Sequence, residues 1–281
     1  MHVMKKIAFC FFTYDNLHNS EIWEKFFAAA DPLKYKVVVS ALHPENVTQD
    51  FLKGYLVDQQ CHPKYAHISQ DRAMFDLLKT VFTDPDIHMA LNLTGSCIPI
   101  VPFDTVYQTL ISTDHGFLNW INAIDDPDPE YLRRQRELKD ITFVSQKQWV
   151  RHFCYGIGFS KELLNFLVEN DHTDLFENVR GTVEHYVGNV LVHHQKEDLV
   201  IRRSLLYNYA IGGSYGGLSV ITEKQIEWLR ANGYFFFRKL QPNAHVPDMC
   251  VQPESILYGF IEQSKNFHFF FNLLRVEHDT T

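Results

Sequence analysis

Two pairs of cations in the second half of the chain each adjoin an apolar run. Arg202 and Arg203 interrupt LVIRRSLL, and Arg238 and Lys239 follow the aromatic run YFFF. Apolar neighbours hold a backbone in place, and two such pairs carry the charge and donors to clamp a diphosphate. The same residues also fit ordinary surface charges at strand ends. Glu184 lies in RGTVEHYVGNVLVHH beside Val183, Tyr186 and Val187. A carboxylate on a partly apolar helical face is a candidate general base, with a solvated helix glutamate as the plainer reading. His185, Asn189 and His193 follow at intervals of four on that helical face, with His194 alongside. Two histidines eight residues apart lack the i, i+4 spacing with which one helix chelates a metal ion.

Other patterns carry less chemistry. Two Asp-Pro-Asp triplets, Asp84 to Asp86 and Asp126 to Asp128, have the spacing of a cation-binding carboxylate pair, but proline restrains how the carboxylates converge, and both read as turns. Cys97 sits next to a glycine turn with no local histidine to act as its base, so it reads as a small packed residue. GGSYGG at 212–217 lacks both the G-x-G-x-x-G spacing and the lysine of a phosphate loop.

The elements that must position these residues alternate as in an α/β protein. Strands are expected at KKIAFCFF, KYKVVVSAL and HMALNLTG, and a further one at LVIRRSLLYNYAI. Helices are expected at SEIWEKFFAAA with Ser20 as N-cap, at QDRAMFDLLKTVF with Met74, Leu77, Leu78 and Val81 on one face, and at FDTVYQTLI. RHFCYGIGFSKELLNFLVEN reads as a strand running into a helix, RGTVEHYVGNVLVHH as a helix, and TEKQIEWLRANG as a helix stopped by Gly233. DDPDPEYLRRQRELKD is a polar surface excursion, and NFHFFFNLL an apolar C-terminal segment.

The 281 residues are 46% hydrophobic and 21% charged, which excludes a disordered chain and leaves ample material for a core. A formal charge of −8 argues against a general affinity for nucleic acid, so any bound phosphate needs a local cationic cluster. Five dispersed cysteines without a C-x-x-C pair argue against a disulfide framework and a zinc knuckle. The apolar run Ile7 to Phe12 is too short for a signal peptide or a membrane span. A soluble, cytoplasmic protein of one domain, residues 1–281, without a transmembrane segment, is the expectation.

Several segments together resemble one family, the core-2/I-branching β-1,6-N-acetylglucosaminyltransferases with their plant and xylosyltransferase relatives. LNLTGSCIPIVPFDTVYQTLI, Leu91 to Ile111, is similar to the family's strand, turn and following helix. IAFCFFTYDN with Trp23 and Phe26-Phe27, Arg72 to Leu78, and Trp149 to Leu163 follow in the family's order. The resemblance implies a GT-A-like nucleotide-sugar-binding fold with a central mixed sheet flanked by helices. It also implies an inverting transfer from a UDP-sugar to a hydroxyl of a glycan or glycoconjugate acceptor, with no cofactor and no metal ion.

By the same resemblance the catalytic base is Glu184, in Thr182-Val183-Glu184-His185-Tyr186, where the family has Pro-Asp-Glu followed by His or Tyr. The diphosphate-binding cations are Arg203 and Lys239, with Arg238 adjoining. Thr13, Arg72, Thr94, Gly95, Ser96, Trp149 and Tyr186 are the expected donor and acceptor pocket, and Arg133, Arg134 and Arg136 are further acceptor candidates. The chain departs from the family in ending its second strand with Ser40-Ala41-Leu42-His43, where a His-x-Asp group is common near the uracil. It also departs from animal members in having no membrane anchor and few cysteines, losses that fit a bacterial or viral relative. N-acetylglucosamine is the expected sugar, with xylose and glucose as alternatives. A non-catalytic UDP- or sugar-binding protein of the same fold is the second reading. A metal-dependent hydrolase using His185, His193 and a carboxylate is the third.

Overall fold

The computed structural model describes residues 4–57, 63–122, 125, 143–145, 147–209 and 217–251. The chain packs as two compact units, each assembled from three stretches. The first takes Met1–Asn16, Asp31–Gly95 and Tyr107–Ser204, the second Leu17–Ala30, Ser96–Val106 and Leu205–Thr281.

The first unit is built on a six-stranded sheet. Strands β1 (Lys6–Thr13), β2 (Tyr35–Ala41) and β3 (Ile87–Thr94) run parallel, with β1 in the middle. Ile7 to Phe11 are fully buried, which is why the first strand reads as a continuous apolar run and not as an alternation. The sheet continues through β8 (Gly158–Ser160), antiparallel to β3, then β5 (Gly116–Phe117) and β9 (Val200–Ile201). A separate hairpin pairs β6 (Trp120–Asn122) with β7 (Val150–His152).

Helix α3 (Ser69–Val81) buries Met74, Leu77, Leu78 and Val81, the face that its sequence spacing predicts. Helix α5 (Lys161–Glu169) starts at Ser160, whose hydroxyl accepts a hydrogen bond from the Leu163 amide at 3.2 Å. Helix α6 (Tyr186–His194) buries Tyr186, Val187, Val190 and Leu191 in the same core as α3 and α5. A short α2 (Asp50–Lys53) lies earlier, and α4 (Phe103–Ile111) carries the chain from the second set of segments into the first. The result is a mixed α/β fold with a central mixed sheet flanked by helices, consistent with the GT-A-like class.

The second unit has its own core. In it β12 (Phe236–Arg238) pairs in parallel with β10 (Leu206–Asn208) and antiparallel with β4 (Ile98–Pro99), while β11 (Leu218–Val220) pairs with β13 (Leu240–His245). Helix α1 (Ser20–Ala28) lays Trp23 against Phe236, ring centroids 6.0 Å apart, and the indole N–H donates to the Cys97 carbonyl at 2.9 Å. Helix α7 (Glu223–Ala231) opens with a capping box in which Thr222 and Gln225 exchange bonds, and Gly233 follows it at φ 77°.

Three boundaries differ from the sequence expectation. Ser20 lies inside α1, and Asn19 occupies the cap position without a side-chain bond. LVIRRSLLYNYAI is not one strand, because β9 and β10 belong to different sheets on either side of Arg202-Arg203-Ser204. RGTVEHYVGNVLVHH is helical only from Tyr186. Gly181 adopts φ 76°, a left-handed conformation that ends any helix there, and Thr182–Glu184 form a single 3-10 turn before α6 begins. Among the described residues no helix is long and apolar enough to cross a membrane.

Candidate active site

Glu184 sits at the end of that 3-10 turn, partly buried like Val183 before it, with the fully buried Thr182 and His185 on either side of the pair. On one side the Thr182 hydroxyl donates to Asp71 Oδ2 on α3 at 3.0 Å, and both side chains are within the core. On the other, the His185 ring lies against Trp149, whose indole N–H donates to His185 Nδ1 at 3.4 Å. Asn189, one helical turn on, donates to the carbonyls of His185 and Val150, both at 2.7 Å, and accepts from the Val150 amide at 3.0 Å. The Gly181 amide is tied to the Ala66 carbonyl at 2.7 Å. Thr182 and His185, two residues before and one after Glu184, are therefore anchored, which restricts where its carboxylate emerges.

Burial pushes Asp71 up to about 7, opposed only in part by the hydrogen bonds it accepts from Thr182 and its own backbone. Burial likewise pushes His152 down to about 4.

Thr13, Thr94 and Gly95 come together at the carboxyl ends of β1 and β3. Phe12 pairs with Thr94, and a methyl group built on Gly95 would lie 3.1 Å from the Asn16 carbonyl and 3.5 Å from Thr13 Cγ2. The Thr13 hydroxyl donates to the Asp15 carbonyl at 2.8 Å. The carboxyl edge of parallel strands is where open α/β sheets bind ligands. Tyr14 and His43 extend this edge as a stacked pair with centroids 6.4 Å apart, and Tyr14 is exposed. Sequence reasoning missed this pair. The available signal was the placement of an aromatic residue directly after β1 and of a histidine two residues after β2.

Arg203 follows β9 with its amide bonded to the Ile201 carbonyl at 2.7 Å, and burial disfavours its charged form. Its neighbour Arg202 covers the Trp120 ring at 3.5 Å and donates to the Trp120 carbonyl at 2.9 Å. Arg72 directs its guanidinium to Thr173, Asp174 and Glu177 at 3.1, 2.8 and 2.8 Å, so any contact with a ligand requires breaking part of that set. Trp149 and Tyr186 are core side chains. Trp149 stacks on Phe176, and the Tyr186 hydroxyl accepts from the His172 amide and donates to Asp171. His185 and His193 stand at opposite ends of α6, about 12 Å apart along its axis, so they do not form the shared metal site of a hydrolase. The Asp84 and Asp86 carboxylates pair with Lys6 in a turn, at 3.4 and 3.0 Å. Asp126, Asp128, Arg133, Arg134, Arg136 and NFHFFFNLL lie outside the described residues, as does all of GGSYGG except its last glycine.

In the second unit, Arg238 and Lys239 lie between Phe237 and Leu240, both fully buried. Arg238 donates to Asn208 Oδ1 at 2.7 Å, and the Lys239 carbonyl accepts from the Leu218 amide at 2.9 Å. Burial, and then the Arg238 charge, hold the Lys239 ammonium below the usual lysine value. Ser96 is also buried here and accepts through its carbonyl from the Leu240 amide at 3.2 Å. A surface cavity of about 530 Å³ lined by Val220, Thr222, His245 and Asp248 includes none of the residues expected from the sequence.

A mixed α/β sheet with polar residues gathered at the carboxyl edge of its parallel strands, together with a glutamate held just ahead of a helix, is an arrangement suited to group transfer. Residues 7–207 match the model of the Core-2/I-Branching enzyme family, and the chain belongs to that family of glycosyltransferases. A sugar donor and a glycan acceptor follow from that membership. A search of the curated proteins found no match.

Proposed function

We propose that the chain is an inverting, metal-independent transferase that moves N-acetylglucosamine from its UDP donor to a glycan hydroxyl. In this reading Glu184 takes the proton from the acceptor hydroxyl as that oxygen bonds to the anomeric carbon. The bond from that carbon to the diphosphate breaks, and its electron pair leaves with UDP. The observation that carries the reading is the anchoring of the turn that holds Glu184 through the buried Thr182 and His185, because a general base works only when its proton acceptor is held in place. The family resemblance assigns the diphosphate to Arg203 and Lys239. Each is partly desolvated within its own unit, and an anion beside such a group restores the solvation that burial removes. Thr13, Thr94 and Gly95 form the floor of the donor pocket, with Tyr14 and His43 offering an aromatic surface to the nucleobase.

The test pairs binding with turnover. A thermal-shift panel of UDP and UDP-sugars in EDTA is expected to show stabilisation by UDP and by one sugar donor. Glu184→Gln should keep that shift while transfer falls by roughly two powers of ten or more. Undiminished turnover in the variant removes Glu184 as the base, and a shift that appears only with added Mn²⁺ or Mg²⁺ removes the metal-free diphosphate site.

A further inference from the structure

His172 precedes the 3-10 turn Thr173–Phe176, and His193 and His194 close the last turn of α6. Folding brings all three imidazoles together. One ring nitrogen from each lies within 4.8 Å of the others, and His172 Nε2 stands 2.9 Å from His194 Nε2. The nitrogens of two imidazoles on a tetrahedral zinc ion at 2.0–2.1 Å are about 3.3 Å apart, so the ion enters with only small side-chain movement.

Each ring is oriented from outside the cluster. His193 donates its Nδ1 hydrogen to the Phe143 carbonyl at 2.7 Å, which leaves the lone pair on Nε2 and is the second bond that metal-bound histidines make. The backbone of His172 is fixed by its bond to the Tyr186 hydroxyl at 2.9 Å, at the opposite end of α6. Phe143 stacks on His193 with centroids 4.2 Å apart and also contacts His172, while Phe166 meets His194 edge-on.

We propose that His172, His193 and His194 bind one zinc ion, with water in the fourth position. His193 is exposed, so water has access. The site lies roughly 13 Å along α6 from Glu184 and is separate from the proposed transfer chemistry. Its role is to pin the C-terminal end of α6 to the segment that follows α5. Three neutral imidazoles select zinc, nickel or copper over magnesium and calcium, which favour oxygen ligands.

The test titrates the full chain, stripped with EDTA and returned to chelator-free buffer, with ZnCl2 alone. One equivalent should bind, raising the melting temperature, and MgCl2 should do neither. Cobalt in place of zinc should show the visible ligand-field bands of a tetrahedral site. His194→Gln and His172→Asn should each weaken zinc binding by at least about tenfold, with circular dichroism and EDTA melting curves like those of the unaltered protein. Should either variant fail to fold, His193→Asn at the exposed position provides the same readout. No zinc binding by the unaltered chain overturns the proposal, as does binding of unchanged affinity and stoichiometry in the folded variants. None of these readouts depends on sugar transfer.

Discussion

Replacing Asp71 with asparagine should make the protein more stable at pH 8 and change its response to pH. Asp71 is buried on α3, where its Oδ2 accepts from the Thr182 hydroxyl at 3.0 Å. Burial pushes its carboxyl from the ordinary 3.8 up to about 7. The folded state therefore holds this proton more tightly than the unfolded chain does. Its contribution to stability is greatest below pH 4, falls as pH rises from about 4 to about 7, and is flat above. The displacement amounts to roughly 4 kcal/mol across that window. Asparagine keeps an acceptor for Thr182 and never ionises, so the variant lacks this decline. Urea unfolding of both proteins at half-unit steps from pH 4 to pH 8 isolates the effect, because every other titrating group is common to both. The stability difference should grow in favour of Asp71→Asn by up to about 4 kcal/mol, with similar denaturant slopes. Parallel stability curves would refute the reasoning. Thr182 leads into the Glu184 turn, so Asp71→Asn should also retain transfer, while Asp71→Leu, which offers no acceptor, should lose it.

Asn92→Ala should cost roughly 2–5 kcal/mol in the same unfolding assay, because the side chain is fully buried, accepts from the Ile157 amide at 2.8 Å and donates to the Cys154 carbonyl at 3.0 Å. Lys239→Ala should weaken UDP binding by roughly 10–100-fold by calorimetry, the loss expected for a hydrogen bond between charged groups. Unchanged affinity would take Lys239 out of the diphosphate site. Thr222→Ala should lower stability by about 1 kcal/mol by removing the cap of α7, measured as a shift in the urea midpoint at constant slope.

The sheet and its helices were legible where a local pattern decides the outcome. β1 and β3 are apolar runs of strand length, and α3 shows its buried face at helical spacing. The errors fall where a distant partner decides. Nothing near Arg202 in sequence announces Trp120, the ring it covers 82 residues away, so the break between β9 and β10 was hidden inside an apolar run. The helix expected from Arg180 onward begins only at Tyr186, because Thr182 bonds to Asp71, 111 positions earlier, and Gly181 turns left-handed beside it. The candidate base was visible as a residue, but its anchoring was not. His172 escaped notice for the same reason, since it meets His194 across 22 positions that include two 3-10 turns and α6, and leaves no periodic trace.

The placement of α1 has a consequence for synthesis. Its Trp23 and Phe27 belong to a core whose other half, Phe236 and Phe237 with β10 and α7, follows roughly 180–215 residues later. At about 5–20 residues per second, α1 emerges and waits roughly 10–40 s for the partners that cover its aromatic face. Contacts so distant in sequence also slow folding once the chain is complete. During production the nascent chain thus presents an amphipathic aromatic helix well before its own core exists. Slower translation lengthens that exposure, and a holdase chaperone that binds short aromatic segments shortens it.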